Sequence, residues 1–183
     1  ASFSDIKGNS HENSIVSLVN QEIINCYPDG TFKPNQSLTR SDVVKLLGKY
    51  LVSLGHKVPT DYKTKMRFTD LTAKSQDELL QYAALVKDVG VFNGSNGALM
   101  HKDEIRRDQM ATVLVRAFKV INEYDYIAHV KGQDYKPVIT DLAKTTVEHQ
   151  EAINVFSFYG VTKQATFSPK DVTKRGQFAS FLY

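Results

Sequence analysis

The sequence predicts an all-α, mainly helical fold, in which three helix-loop-helix copies share one core as a single pseudo-threefold domain over residues 1–183. Three observations predict it. The first is that one pattern occurs three times: "FSDI" from Phe3, "FTDL" from Phe68 and "ITDL" from Ile139 each open a run with apolar residues at helical spacing, then a turn-rich loop, then a second apolar run. A helix pair of this size buries little on its own, so the three copies are expected to share a core. The second is register. Phe32, Leu99 and Phe167 each precede Arg40, Arg107 and Arg175 by eight residues, and Asp5, Asp70 and Asp141 precede the same arginines by 35, 37 and 34. The third is composition: 42% hydrophobic and 23% charged residues is ordinary globular usage, enough to fill a core.

In chain order, Ile15, Leu18, Val19 and Ile23 predict the first helix of copy 1, and Val43, Val44, Leu46, Leu47 and Leu51 predict its second. "YPDGTFKP" between them, with Pro28, Asp29 and Gly30, is a turn signal. In copy 2, Leu79, Leu80, Ala83, Ala84 and Val86 predict the first helix, Gly94 and Gly97 the loop, and Met110, Val113, Leu114, Ala117 and Phe118 the second helix. Copy 3 runs through "HQEAINVFSFYGVT" to "TFSPKDVTKRGQFASFLY" and stops at Tyr183 inside its last helix, so the native chain is expected to continue. Residues 1–55, 66–122 and 138–183 are therefore read as the copies, and 56–65 and 123–137 as polar linkers or helix extensions. Of the matched aromatics, Phe32 and Phe167 are expected in the core and Tyr27 at a partly exposed loop position.

Several function classes find no support. The net charge of +3 is spread along the chain without a Lys/Arg block, which disfavours nucleic acid as partner. No apolar run reaches the ~20 residues of a membrane-spanning helix, so no membrane insertion is expected. Cys26 is the lone cysteine, so no internal disulfide staples the fold. His11, His56, His101, His129 and His149 have no paired metal-ligand spacing and are read as surface or groove residues, with no metal or cofactor expected. Neither a nucleophile motif nor a glycosidase-like carboxylate pair stands out, so no enzyme is expected.

The most informative residues lie at the second helix starts. In "LTRSD", Thr39 is the expected N-cap and Asp42 its reciprocal partner three residues on. Arg40 then faces the positive end of the helix dipole, a placement costing roughly 0.3–1 kcal/mol unless an anion compensates. Copy 2 puts Arg106 and Arg107 at this place and copy 3 puts Lys174 and Arg175. Two explanations compete. In one, each arginine pairs with a carboxylate, with Asp5, Asp70 and Asp141 as natural partners, and locks the copies together. In the other, the guanidinium and free helix N–H donors bind an anionic ligand.

Three copies of F-x-D-[IL], a helix, a "DGTF-x-P" or "NG" turn and [IL]-T-R-x-[DE] resemble the S-layer homology domain, the wall-anchoring triplet of bacterial surface proteins. The resemblance spans essentially the whole chain and is sharpest at "YPDGTFKPNQSLTRSD" and "VTKRGQFASFLY". It implies a three-pronged spindle whose inter-repeat grooves bind secondary cell-wall polysaccharide through a pyruvate-ketal sugar. It places Arg40, Arg107 and Arg175 on the ketal carboxylate; beside them, Asp42, Gln109, Gln177, Tyr27, Gly30 and Gly94 are expected as further glycan-binding residues. It also implies an exported protein at the cell wall or S-layer of a Gram-positive-type bacterium, with other S-layer subunits as further partners. The sequence departs from the pattern at Gln109 and Gln177, which replace the motif acid, at Cys26 and at Lys163-Gln164, which replace the Gly of "NG". These departures keep a second function open, self-association within a surface layer with degenerate glycan sites.

Overall fold

The computed structural model describes residues 11, 33–162 and 164–182. The expected first helix of copy 1, together with Asp5, Cys26, Tyr27, Gly30 and Phe32, lies outside the described residues. The rest is mainly helical: α1 (Arg40–Ser53), α2 (Asp77–Asp88), α3 (Arg107–Asn122), α4 (Tyr126–Lys131), α5 (Val147–Phe158) and α6 (Arg175–Leu182), with a short 3-10 turn at Leu142–Lys144 before α5. β-pairing among the described residues is confined to isolated bridges.

Each helix buries the stripe its sequence presents. Val43, Val44, Leu47 and Leu51 of α1 are buried, as are Leu79, Leu80, Ala83, Ala84 and Val86 of α2 and Met110, Val113, Leu114 and Ala117 of α3. Leu46 and Phe118 are only half-buried, packed at the core's margin. The packed pairs join different copies: α1 lies against α2 and α3 against α5. A second helix of one copy therefore finds its apolar partner in the first helix of the next, which a single copy could not supply.

What ties the copies together is a closed circuit of backbone hydrogen bonds. Leu38 N–H donates to Thr173 O at 2.9 Å, Thr173 N–H to Ile105 O at 2.8 Å and Ile105 N–H to Leu38 O at 2.9 Å. All three residues are buried and occupy one register position, two before the arginine that each copy carries. Bridges between Ser37 and Lys174, Thr39 and Glu104, and Arg106 and Val172 flank the circuit with the same offset each time. A buried peptide group without a partner costs several kcal/mol at most and about 1 at least, so this closure removes six such liabilities at the centre.

The segment 123–137, read as a polar linker or helix extension, holds α4, which packs on α5 and α3. Asp125 caps it, accepting from Ala128 N–H at 3.0 Å, and Val130 is its buried anchor. The segment 56–65 has turns without a helix, held by Arg67, which donates to Asp61 at 2.6 Å and to Asp88 Oδ2 of α2 at 2.9 Å.

Candidate functional site

The helix starts are built as the sequence suggests, with one change in who uses their donors. Thr39 Oγ1 accepts from Asp42 N–H at 3.1 Å and Asp42 Oδ2 accepts from Thr39 N–H at 3.0 Å, the reciprocal cap expected of that pair. Gln109 and Gln177 perform half of it, each offering Oε1 to the backbone N–H three residues earlier, Arg106 at 3.1 Å and Lys174 at 3.0 Å. Arginine and lysine have no acceptor to return the bond. The helix N–H donors expected to face an anion are occupied. Arg40 and Ser41 donate to Asp103 O and His101 O, Arg107 and Asp108 to Asp171 O and Pro169 O, and Arg175 and Gly176 to Gln36 O and Pro34 O. Carbonyls of a neighbouring copy thus compensate each helix dipole, and an anion would have to be held by side chains.

The arginine side chains also depart from expectation. Asp70 and Asp141 are not their hydrogen-bond partners. Asp70 instead accepts the N–H groups of Leu99 and Met100, both at 2.8 Å, and Asp141 those of Phe167 and Ser168 at 2.9 and 2.8 Å. The reason is backbone geometry: Met100 and Ser168 sit at φ +60° and +55°, turning two successive N–H groups to one side, where a carboxylate can take both. From the opposite side, Arg40 Nε donates to Leu99 O at 2.7 Å and Arg107 Nε to Phe167 O at 2.8 Å. Each arginine therefore reads the next copy's turn, whose amides that copy's own aspartate holds.

Aromatic faces support the guanidinium groups. Arg40 Cζ lies 4.7 Å from the Phe92 ring centre, and Arg107 Cζ lies 4.6 Å from Phe167 and 5.4 Å from Phe181. The supporting ring moves between copies, because Thr162 stands where copy 2 has Phe92, and Phe167 with Phe181 take over. Burial lowers the pKa of both arginines from the ordinary guanidinium value, Asp103 and Asp70 opposing this at Arg40 and Asp171 and Asp141 at Arg107. Both stay cationic. Only Nε is hydrogen-bonded in each, so among the described residues no acceptor reaches Nη1 or Nη2.

Both arginines line cavities. Arg107 lines one of about 940 Å³ with Thr166, Lys174, Gln177, Ser180 and Phe181. Arg40 lines two adjoining spaces of about 560 and 340 Å³ with Arg106 and Gln109 in both and Gly94 in the second. Gly94 sits at φ +77°, and a Cβ there would lie 2.4 Å from Ala98 O, so glycine is required by the turn itself. Arg175 is half-buried at the matching place, and Tyr27 and Gly30 lie outside the described residues.

Asp108 is a functional candidate that the repeat pattern hid, since Ser41 and Gly176 hold its place in the other copies. Fully buried, it accepts from Arg106 Nε at 3.1 Å, Gln109 N–H at 2.8 Å and Thr145 Oγ1 at 2.7 Å, with Lys170 Nζ at 3.5 Å. Burial alone would raise its pKa, and the Arg106 and Thr145 hydrogen bonds outweigh this to leave it lowered. One carboxylate thus steadies Arg106 of the Arg40 groove and Lys170 of the Arg107 groove. Among the described residues no cluster of His, Cys, Asp and Glu has the makings of a metal site, and no helix is long and apolar enough to cross a membrane.

Fold and site define a helical module with paired, cation-floored grooves between sequence copies. Residues 2–44 match the family model described as S-layer homology domain. The chain is 22% identical over 99% of its length to an exoglucanase, XynX, of Acetivibrio thermocellus, of which it covers 16%. It is 23% identical over 99% of its length to an amylopullulanase of Thermoanaerobacterium thermosulfurigenes, covering 9%, and 25% identical over 92% of its length to an S-layer protein of Bacillus thuringiensis subsp. finitimus, covering 19%. The chain thus spans less than a fifth of each of these relatives. The match over residues 2–44 and the S-layer relative agree with the resemblance carried by the repeat motifs.

Proposed function

We propose that this chain is a non-catalytic anchoring module that binds an anionic secondary cell-wall polysaccharide, with a pyruvate-ketal carboxylate as its charged group, in grooves between copies. The module would be a three-pronged, pseudo-threefold spindle. The circuit through Leu38, Ile105 and Thr173 supports that shape, as does the pairing of α1 with α2 and α3 with α5. The observation that carries the binding reading is the state of Arg40 and Arg107. Each is desolvated, fixed through Nε and stacked on a ring, leaving a guanidinium edge directed by its anchors and open to a bidentate oxyanion. The S-layer homology match supports an anchoring role at a cell wall of Gram-positive type, and similarity to glycan-degrading enzymes over a small fraction of their length fits an appended anchor.

Arg40, Arg107 and Arg175 would pair with carboxylates, and Gln109 and Gln177 would offer the Nε2 that capping leaves unused. Two or more competent grooves would add avidity. A purified-wall pull-down comparing the native chain with the Arg40→Ala, Arg107→Ala, Arg175→Ala triple variant tests the proposal. Loss of retention is expected, and undiminished retention by a folded triple variant overturns it.

Self-association is a second reading, favoured by the exposed rings Tyr124 and Tyr159 grouped with His129 and Tyr126 beside α4. Sedimentation with and without wall glycan separates the two, because a lattice contact would show mass growth without glycan.

A further inference from the structure

We propose that His149 contacts ligand in the Arg40 groove, where with Thr112 and Arg116 it forms a second sugar position beyond the one at the arginine. This rests on the glycan reading above and extends it to a longer saccharide. Gln109, Thr112, Val113 and Arg116 all line the space of about 340 Å³ that opens from Arg40. Their spacing of three, four and seven residues puts them on one face of α3, a strip about 10 Å long. That is longer than a single pyranose ring. His149, from α5, faces this strip opposite Thr112, its Nδ1 2.5 Å from Thr112 Oγ1. Nε2 has no hydrogen-bond partner among the described residues. When the threonine hydroxyl donates to Nδ1, the proton resides on Nε2, which becomes a donor for an acyl or hydroxyl oxygen of the saccharide.

The Arg107 groove repeats the arrangement from different parts of the chain. His11 lines it, with Nδ1 2.5 Å from the oxygen of Ser180, the residue that occupies Thr112's place on α6. Each groove thus draws its arginine from one copy, its loop and helix face from the next and its histidine from the third. Burial holds the His149 pKa below 6.5, so the ring is neutral at pH 7; Asp108 and Glu148 oppose this shift, and Arg106 and Lys170 reinforce it. Glu148 pairs with Arg116 at the far end of the strip, so the second position is polar with little net charge and suits an uncharged sugar.

Calorimetry with two probes tests the inference: a pyruvate-ketal N-acetylmannosamine monosaccharide and a trisaccharide ending in that unit. H149A is expected to weaken the trisaccharide by about tenfold, the loss of one hydrogen bond to ligand, with monosaccharide affinity unchanged. H149Q, which restores an amide donor, is expected to recover most of the loss. R40A is expected to abolish binding of both probes. H149A with native trisaccharide affinity overturns the inference while leaving the arginine site standing, as does an equal loss on both probes with a lowered Tm. If H149A does not fold, T112V decides, since a folded T112V with native trisaccharide affinity also overturns it. A native chain that binds neither probe overturns the groove reading and the second position together.

Discussion

Arg107 holds Phe167 twice, donating from Nε to its carbonyl oxygen at 2.8 Å while Cζ lies 4.6 Å from the centre of its ring. The contact crosses from the second copy to the third, so one side chain both joins copies and floors a groove. Truncating it would leave the Phe167 carbonyl without its donor and remove the cation from the ring. Arg107→Ala is expected to cost about 2–4 kcal/mol on that basis. Arg107→Lys keeps charge but cannot bond the carbonyl and present a planar edge at once, so it should retain much of the stability and lose most glycan affinity. Urea unfolding paired with calorimetry checks the split, and a lysine variant with native affinity would refute the bidentate role.

Asp70 and Asp141 make the turns pH-sensitive. Burial pushes each carboxyl up, and the backbone N–H donors, Leu99 and Met100 for Asp70 and Phe167 and Ser168 for Asp141, outweigh it, so both sit below 3.8. A carboxylate depressed in the folded state contributes stability that is fully present above its unfolded value and lost as pH falls through the folded one. The native urea midpoint should therefore drop below about pH 4. The D70N/D141N double variant should start lower at pH 7 and fall less across that acid window. Parallel native and variant profiles would remove the aspartates from the explanation.

These two residue sets show what the sequence made legible. Helix positions, the Thr39–Asp42 cap and the burial of Phe167 follow from period and spacing alone. The spacing also singled out the arginines and the aspartates, and offered their pairing as one of two explanations, because opposite charges at fixed offsets suggest an ion pair. In the structure a turn lies between them: aspartate takes its amides and arginine its carbonyl. Spacing could not reveal this, since it depends on the left-handed Met100 and Ser168, neither of which is a glycine that would have announced the conformation. Asp108 was hidden for a different reason, occurring at its place in one copy only, and His149 because its place holds histidine in copies 1 and 3 but not in copy 2.

Two glycines separate turn strain from close packing. Gly94 and Gly160 both have positive φ, +77° and +72°, but a Cβ on Gly94 meets Ala98 O at 2.4 Å and Phe68 Cε1 at 2.8 Å, whereas at Gly160 nothing lies within 4 Å. Gly160→Ala should cost only the left-handed penalty, roughly 1–2 kcal/mol. Gly94→Ala must also displace backbone, so it should cost clearly more and weaken binding at the Arg40 groove that Gly94 lines. Thermal unfolding of the two variants ranks them, and equal losses would contradict the contact argument.

The centre of the fold carries a polar residue where its two counterparts are apolar. Leu38, Ile105 and Thr173 share one register position and one backbone circuit, and all are buried. The Thr173 hydroxyl has no hydrogen-bond partner among the described residues. A buried hydroxyl in that state costs about 1–3 kcal/mol in desolvation, while its backbone N–H and C=O remain bonded whatever the side chain. Valine has the same branched shape and replaces only the hydroxyl with a methyl group. Thr173→Val should therefore stabilise the protein by about 1 kcal/mol, raising Tm by roughly 2–4 °C for a chain of this size. Thr173→Ser keeps the hydroxyl, loses a methyl and should lower Tm. Calorimetry on the three proteins decides the matter, since a valine variant no more stable than the native chain would mean that the hydroxyl is satisfied in solution.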